Sequence, residues 1–210
     1  MKVGSYKIKT RNLIVTGIII SVGFILTSVI KSGLQDRYEQ DIENFRKQKN
    51  DHFKTANNSP IEDQINFKEL HYYPADKKFR SRAKLIMIKD SSFIKMVSND
   101  GERNKYWRHA FAVIDINDKK DTLTIFRKAS LKAEDKHYFV PFYDETNGTE
   151  TYTGGRYMDL ELRDTISLII DFNLAYNPYC VYNYRFSCPV PPKENKLSMP
   201  IEAGEKMFYK

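Results

Sequence analysis

The stretch KFRSRAKL, residues 78–85, alternates strictly between basic and non-basic side chains. Basic residues hold every second position, and the positions between them hold Phe79, Ser81, Ala83 and Leu85. A period of two is that of a β-strand, whose successive side chains point to opposite faces. The stretch is therefore predicted to be a strand with one basic face. That face is either an anion-binding surface or an exposed strand that charge keeps from aggregating.

Short runs of β-like sequence follow toward the C-terminus. They lie at 85–88, 92–97, 108–116, 122–127, 138–142, 156–162 and 165–172. Polar turn signals separate them, most clearly at 117–121 and 147–148, because Asn, Asp and Gly tolerate the backbone of tight turns. Regular short strands with polar turns indicate a mainly β fold, an antiparallel sandwich or barrel-like domain. We assign this domain to residues 67–210.

A helix is predicted before the domain, over residues 33–53. Leu34, Tyr38, Ile42 and Phe45 recur at helical spacing and form one apolar stripe, which is expected to dock on the domain. The sequence NNSP at 57–60 ends the helix, because the residue before a proline disfavours helical backbone. Residues 31–66 are therefore interpreted as a stalk helix and a linker.

Residues 13–30, LIVTGIIISVGFILTSVI, carry no charge. As a helix they would span about 27 Å, close to the roughly 30 Å hydrocarbon core of a bilayer. The preceding tail, residues 1–12, carries four basic residues and no acid, so the positive-inside rule places it in the cytoplasm. We expect an uncleaved transmembrane helix, since no A-x-A-like site follows. A cleaved signal peptide and a buried helix of a soluble core are the alternatives.

The chain carries 34 basic and 27 acidic residues. Without the four basic residues of the tail, 30 basic and 27 acidic residues remain, a net charge of only +3. Nucleic-acid binders usually spread basic residues across a binding face, so no nucleic acid is expected as a partner. The expected partners are the membrane, through residues 13–30, and an unknown small molecule, glycan or protein.

The C-terminal third is dense in Asn, Tyr, Pro, Gly and Cys. Its blocks read PFYDETNGTETYTGGRY at 141–157, DFNLAYNPYCVYN at 171–183, CPVPPKEN at 188–195 and AGEK at 203–206. Their pattern resembles the family catalogued as domain of unknown function 1684. The resemblance covers about residue 67 to the C-terminus and implies no activity.

Several polar residues of these blocks are candidates for a site. Arg156 follows two glycines and could hold a carboxylate or phosphate with its fork of donors, or it could pair with an acid such as Asp171 or Glu194. Such groups are too polar to be buried singly, and each needs partners. We expect the candidate binding residues to gather in one polar constellation: Tyr152, Arg156, Asp171, Asn173, Tyr176, Asn177, Glu194, Asn195 and Glu205.

Cys180 and Cys188 are the only cysteines of the chain. On the outer side of a membrane an even number suggests a disulfide. The alternative makes Cys180 a nucleophile activated by His109 or His137. The four histidines are scattered and form no ligand motif with the cysteines. No metal and no cofactor is therefore expected.

Two functions remain open. The first is a binding or interaction module, anchored in the membrane and exposed at the cell surface or in the periplasm. The second is a hydrolase that uses Arg156, Asp171 and Glu194, or Cys180. Convergence of these side chains in one open pocket would favour the enzyme, and their burial in mutual pairs would favour a scaffold.

Overall fold

The computed structural model describes residues 10–89, 92–132, 135–162 and 165–209. Its helix and strands are α1 (Thr10–Thr55), β1 (Arg80–Met87), β2 (Phe93–Val97), β3 (Arg103–Ile116), β4 (Lys119–Lys128), β5 (His137–Phe142), β6 (Arg156–Glu161) and β7 (Ser167–Asp171). The strands form one antiparallel sheet in the order β6-β5-β4-β3-β1-β7, and β2 pairs with β3. The prediction of a mainly β, antiparallel fold is confirmed, and its form is a single sheet curled into a half-barrel.

The basic alternation marks a strand, as predicted. In β1 the side chains of Arg80, Arg82 and Lys84 are exposed, and those between them are buried. The strand begins two residues later than predicted, because Asp76 caps a short 3-10 turn, Lys77–Phe79, by accepting a hydrogen bond from the backbone N–H of Lys78.

The turn predicted at 117–121 is a tight hairpin between β3 and β4. Asn117 and Asp118 have φ values of 52° and 62°. Positive φ at both central residues is the requirement of a type I′ turn, which Asn and Asp meet at low cost. The local sequence therefore sets the register of the two longest strands.

The inner face of the half-barrel is filled by residues 195–206, here called the C-terminal strap. Leu197, Met199, Ile201 and Ala203 are buried at every second position of this extended segment. They pack in the same cluster as inward side chains of the strands, among them Ile114, Leu123, Ile125 and Val140. Burying each large apolar side chain contributes roughly 1.5–3 kcal/mol. The strap is therefore an integral part of the core.

The chain divides into two compact units, residues 1–41 and 42–210. The N-terminal helix is continuous from Thr10 to Thr55, where the sequence predicted a span at 13–30 and a second helix at 33–53. It ends just before NNSP, as predicted. Its described part from Ile19 onward is long and apolar enough to cross a membrane by length and composition, a property shared by signal sequences. Of the predicted basic tail, residues 1–9 lie outside the described residues.

Within the larger unit, the last turns of α1 pack through a face that includes Ile42 of the predicted stripe but not Phe45. Ile42, Arg46 and Phe53 are buried at helical spacing. Phe45, expected in the docking stripe, is 42% exposed. The prediction was wrong for this residue because Arg46 occupies the buried face instead, with its guanidinium 4.6 Å from the centroid of the Tyr72 ring.

Candidate functional site

Arg156 begins β6 and is fully buried inside the half-barrel. Its Nη2 donates to Asp144 Oδ2 at 2.8 Å and to the carbonyl of Ile201 at 2.8 Å. Its Nη1 donates to the carbonyls of Ala203 and Glu205. The guanidinium therefore clamps the C-terminal strap against β6 and Asp144. The acid expected for this pair was Asp171 or Glu194, and the observed partner is Asp144.

Glu205 is the second buried charge of the strap. Its Oε1 accepts from Lys49 Nζ at 2.5 Å, and its Oε2 accepts from Tyr182 Oη at 2.5 Å and from the backbone N–H of Asn177 at 2.8 Å. The amide of Asn177 in turn donates to the carbonyl of Lys206. This network joins the end of α1, the strap and the loop after β7. Its polar groups serve the fold.

The other predicted residues belong to further networks. Asp171 Oδ1 accepts from the backbone N–H and the side-chain amide of Asn173. The amide of Asn173 also exchanges hydrogen bonds with the backbone of Asp76. Glu194 forms a bidentate ion pair with Arg108, in which both hydrogen bonds are 2.9 Å long.

Asn195 is fully buried and exchanges hydrogen bonds with the backbone of Thr124. It also donates to the carbonyl of Pro141. The nine residues are thus divided among several networks, because strand ends and loops reach opposite faces of the curled sheet.

A separate feature has the form of a ligand site. An open cleft of about 670 Å³ lies between the last turns of α1, the outer faces of β5 and β6, and the segment 186–189. We call it the aromatic cleft, because nine of its lining residues are phenylalanines or tyrosines: Phe45, Phe53, Tyr106, Tyr138, Phe139, Tyr157, Tyr176, Tyr179 and Phe186. Small-molecule sites typically have volumes of about 300–1,000 Å³ and mostly apolar walls.

The rings of the aromatic cleft contact one another. Phe139 lies edge-on to Tyr157 with ring centroids 4.8 Å apart, and Tyr157 lies edge-on to Tyr176 at 5.8 Å. Phe53 is 5.8 Å from Tyr179, also edge-on. Such contacts stabilise the rings beyond their buried area. The wall is therefore formed before any ligand arrives.

Asp159 is the one carboxylate among the described residues that line the aromatic cleft. It is exposed, and its Oδ2 accepts from Tyr176 Oη at 2.6 Å. Lys49 Nζ lies 4.7 Å from the centroid of the Tyr176 ring, but its charge is paired with Glu205. The carboxylate of Asp159 thus retains acceptor capacity next to aromatic faces.

The hydroxyl groups of Tyr157 and Tyr176 in the cleft have raised pKa values. Burial raises the pKa of Tyr176 well above its usual range, and the neighbouring charge and hydrogen bond of Asp159 raise it further. Burial also raises the pKa of Tyr157, whose hydroxyl donates to the carbonyl of Pro189. At neutral pH both side chains are therefore neutral hydrogen-bond donors.

Cys188 contributes to the wall of the cleft, and Cys180 lies behind it. Both are free thiols, so the expected disulfide is absent from this structure. The two side chains are nevertheless neighbours, because the backbone N–H of Cys180 donates to Cys188 Sγ at 3.1 Å. Burial raises the pKa of Tyr152, a predicted site residue, and the neighbouring Cys180 and Cys188 raise it further.

Of the nine predicted binding residues, only Tyr176 lines the aromatic cleft among the described residues. Sequence reasoning missed Phe139, Tyr157 and Asp159. The signal was the alternation of β5 and β6, which places Phe139, Tyr157 and Asp159 on one face. Polar loop residues were chosen as candidates instead of these outward-facing strand residues.

Comparison with known proteins supports the resemblance seen in the sequence. No curated protein matches the chain. The solution NMR structure of an uncharacterized protein from Haloarcula marismortui is similar, with a TM-score of 0.63 and 32% identity over 82% of this chain and 95% of that one. The model of the family described as "Protein of unknown function (DUF1684)" matches residues 65–206. The chain therefore belongs to the DUF1684 family.

Proposed function

We propose that the chain is a membrane-anchored binding protein whose β-rich domain lies on the outer side and takes a small molecule in the aromatic cleft. The apolar segment 13–30 and the basic residues before it support the anchor and its orientation. The outer side of the membrane is an oxidising environment, in which disulfides form and persist. The expected disulfide between Cys180 and Cys188 fits that location, and the two residues are neighbours.

The walls of the cleft define the chemistry of the ligand. The rings offer flat apolar faces, and Asp159 offers an acceptor oxygen beside them. A flat ring that carries N–H or O–H donors meets both features, since the ring stacks and the donor binds the carboxylate. Amines that carry an aromatic ring fit this description, and sugars come close to it, since a pyranose stacks through its apolar C–H face and carries O–H donors. The juxtaposition of Asp159 with the rings of Phe139, Tyr157 and Tyr176 is the observation that carries the proposal.

The binding function is favoured over the hydrolase. Arg156 is bound to Asp144, Asp171 lies within 3.4 Å of Arg80, and Glu194 is bound to Arg108. The groups proposed for catalysis are thus engaged in mutual pairs, which is the arrangement expected of a scaffold. Catalysis by them would require breaking these pairs.

Tyramine and a methyl glucoside, added to the full chain in lipid nanodiscs, test the proposal and distinguish the two ligand sources. We expect one of them to bind in the millimolar range or better, as measured by ligand-observed NMR. Asp159→Asn should weaken that binding by about tenfold, the value of one charge-assisted hydrogen bond.

Glu161→Gln is the matched control, because Glu161 lies on the same strand and face but outside the aromatic cleft. It should leave binding unchanged. If neither probe binds, or if both variants bind as the wild type does, the aromatic cleft is not the site.

A further inference from the structure

Cys180 and Cys188 form a pair in which the two sulfurs have different environments. The Cys188 sulfur accepts a hydrogen bond from the backbone N–H of Cys180 at 3.1 Å, and the Cys180 thiol and the backbone N–H groups of Cys180 and Tyr179 lower its pKa. These N–H groups belong to a 3-10 turn, Tyr179–Val181, whose first donors have no partner within the turn. The pKa of Cys180 is raised, mainly by its neighbour Cys188.

This arrangement stabilises a thiolate on one of the two residues. The hydrogen bond from the Cys180 thiol is the main reason why the pKa of Cys188 falls to about 7. The same hydrogen bond is the main reason why the pKa of Cys180 rises far above its usual range. Since the thiolate is the reactive form of cysteine, the geometry separates a nucleophile from a proton-bearing partner.

Access is also asymmetric. Cys180 is the more exposed residue of the pair, but it does not line the aromatic cleft. Cys188 is only 7% exposed, and it forms part of the cleft wall beside Pro189 and Tyr157. A reagent that enters the cleft therefore meets the sulfur of Cys188.

We propose that Cys188 is a thiol-modification site in the wall of the aromatic cleft, where it reacts with low-molecular-weight disulfides, and that Cys180 resolves the product into an intramolecular disulfide. The Cys188 thiolate attacks one sulfur of the reagent, for example oxidised glutathione, and releases one glutathione thiolate. Cys180 then loses its proton to solvent, attacks the Cys188 sulfur and releases the second glutathione. The two cysteines are oxidised and the reagent disulfide is reduced to two thiols.

The site does not depend on a ligand for the cleft. It gives a route from the free thiols of this structure to the expected disulfide, since the backbone of Cys180 already contacts the sulfur of Cys188. It also assigns an order to the two residues, which the sequence alone could not do.

Mass spectrometry of the reduced full chain in nanodiscs, treated with oxidised glutathione at pH 7, tests the order. The wild type should lose two hydrogen atoms and retain no glutathione. Cys180→Ser keeps a hydroxyl donor for Cys188, and it should stop at one glutathione attached to Cys188. Cys188→Ser should react at least about tenfold more slowly, because the remaining thiol is mostly protonated.

The dependence of the wild-type rate on pH supplies a second measurement. The rate should rise with pH and reach half of its maximum near the pKa of Cys188, about 7. Thermal melts of both variants establish that they are folded. Equal rates for the two variants, or glutathione attached to Cys180 in place of Cys188, would overturn the proposal. A disulfide that forms only after unfolding would do the same.

Discussion

Arg156 and Asp144 form an ion pair that is closed to solvent on all sides. Nη2 and Oδ2 are 2.8 Å apart, and both side chains are 0% exposed. Asp144 is satisfied further by the backbone N–H and the hydroxyl of Thr146 and by the backbone N–H of Ile201. The pair therefore holds the C-terminal strap inside the half-barrel.

Arg156→Ala should destabilise the fold by about 3–5 kcal/mol, because the change leaves Asp144 buried without its counter-charge. It also removes the donors that bind the strap carbonyls. Urea unfolding followed by fluorescence measures the loss. Arg108→Ala is the control, since its pair with Glu194 is partly exposed and should contribute at most about 1 kcal/mol. Similar losses of stability in the two variants would contradict the conclusion that Arg156 holds the C-terminal strap in place.

Gly204→Ala should destabilise the fold by more than about 3 kcal/mol. Gly204 has a φ of 75°, and an added Cβ would lie 2.6 Å from the carbonyl oxygen of Ala175 and 2.7 Å from that of Phe172. Gly101 has a similar φ of 87° but open space around it, so Gly101→Ala isolates the conformational cost of about 1 kcal/mol. Thermal melts compare the two. A smaller loss at Gly204 than at Gly101 would contradict the close packing of the strap.

Stability should fall as the pH rises above about 10, the ordinary pKa of tyrosine. Burial and the nearby acids Asp159 and Glu205 raise the folded-state pKa of Tyr176 and Tyr182 well above that value. The stability that these protonated groups contribute is complete below the unfolded pKa. Above it the unfolded state loses protons that the folded state keeps, so each tyrosine costs up to about 1.4 kcal/mol per pH unit.

Urea unfolding between pH 8 and pH 11 measures this slope. Tyr176→Phe should be less sensitive to alkali than the wild type, because it has no proton to lose at that position. Tyr184→Phe, at a side chain that is 75% exposed, serves as the control and should follow the wild type. If the stability of Tyr176→Phe falls with pH as steeply as that of the wild type, Tyr176 is not a source of the alkaline sensitivity.

The proposed membrane topology can be tested by protease digestion. If the apolar segment 13–30 is an uncleaved anchor with the tail inside, protease added to intact spheroplasts should digest the β-rich domain and spare the tail. Immunoblots against each end of the chain report the outcome. A mature protein that begins after residue 30, or a domain protected from protease, would reject the anchor.

Features of the fold that depend on a few neighbouring residues could be predicted from the sequence. The alternation before Leu85 predicts β1 and its exposed basic face, since a strand sends neighbouring side chains to opposite sides. Asn117 and Asp118 predict the hairpin because they tolerate positive φ. The proline at position 60 predicts the end of α1 for an equally local reason.

The candidate site depends on contacts between distant parts of the chain. Lys49, Phe139 and Tyr157 lie on three different elements, and no local sequence pattern specifies that these elements meet at one cleft. Even the loop residue Tyr176, which was predicted to bind, enters the cleft through its pairing with Tyr157.

The sequence by itself determined the strands, the turns, the helix end and the family. Only the tertiary structure decided that β6 and β7, consecutive in the chain, form opposite edges of one curled sheet, and that Arg156 faces inward to Asp144. The physical reason is that the alternation of apolar and polar residues specifies which face of a strand is buried. Which other residues pack against that face depends on side-chain packing across the whole core.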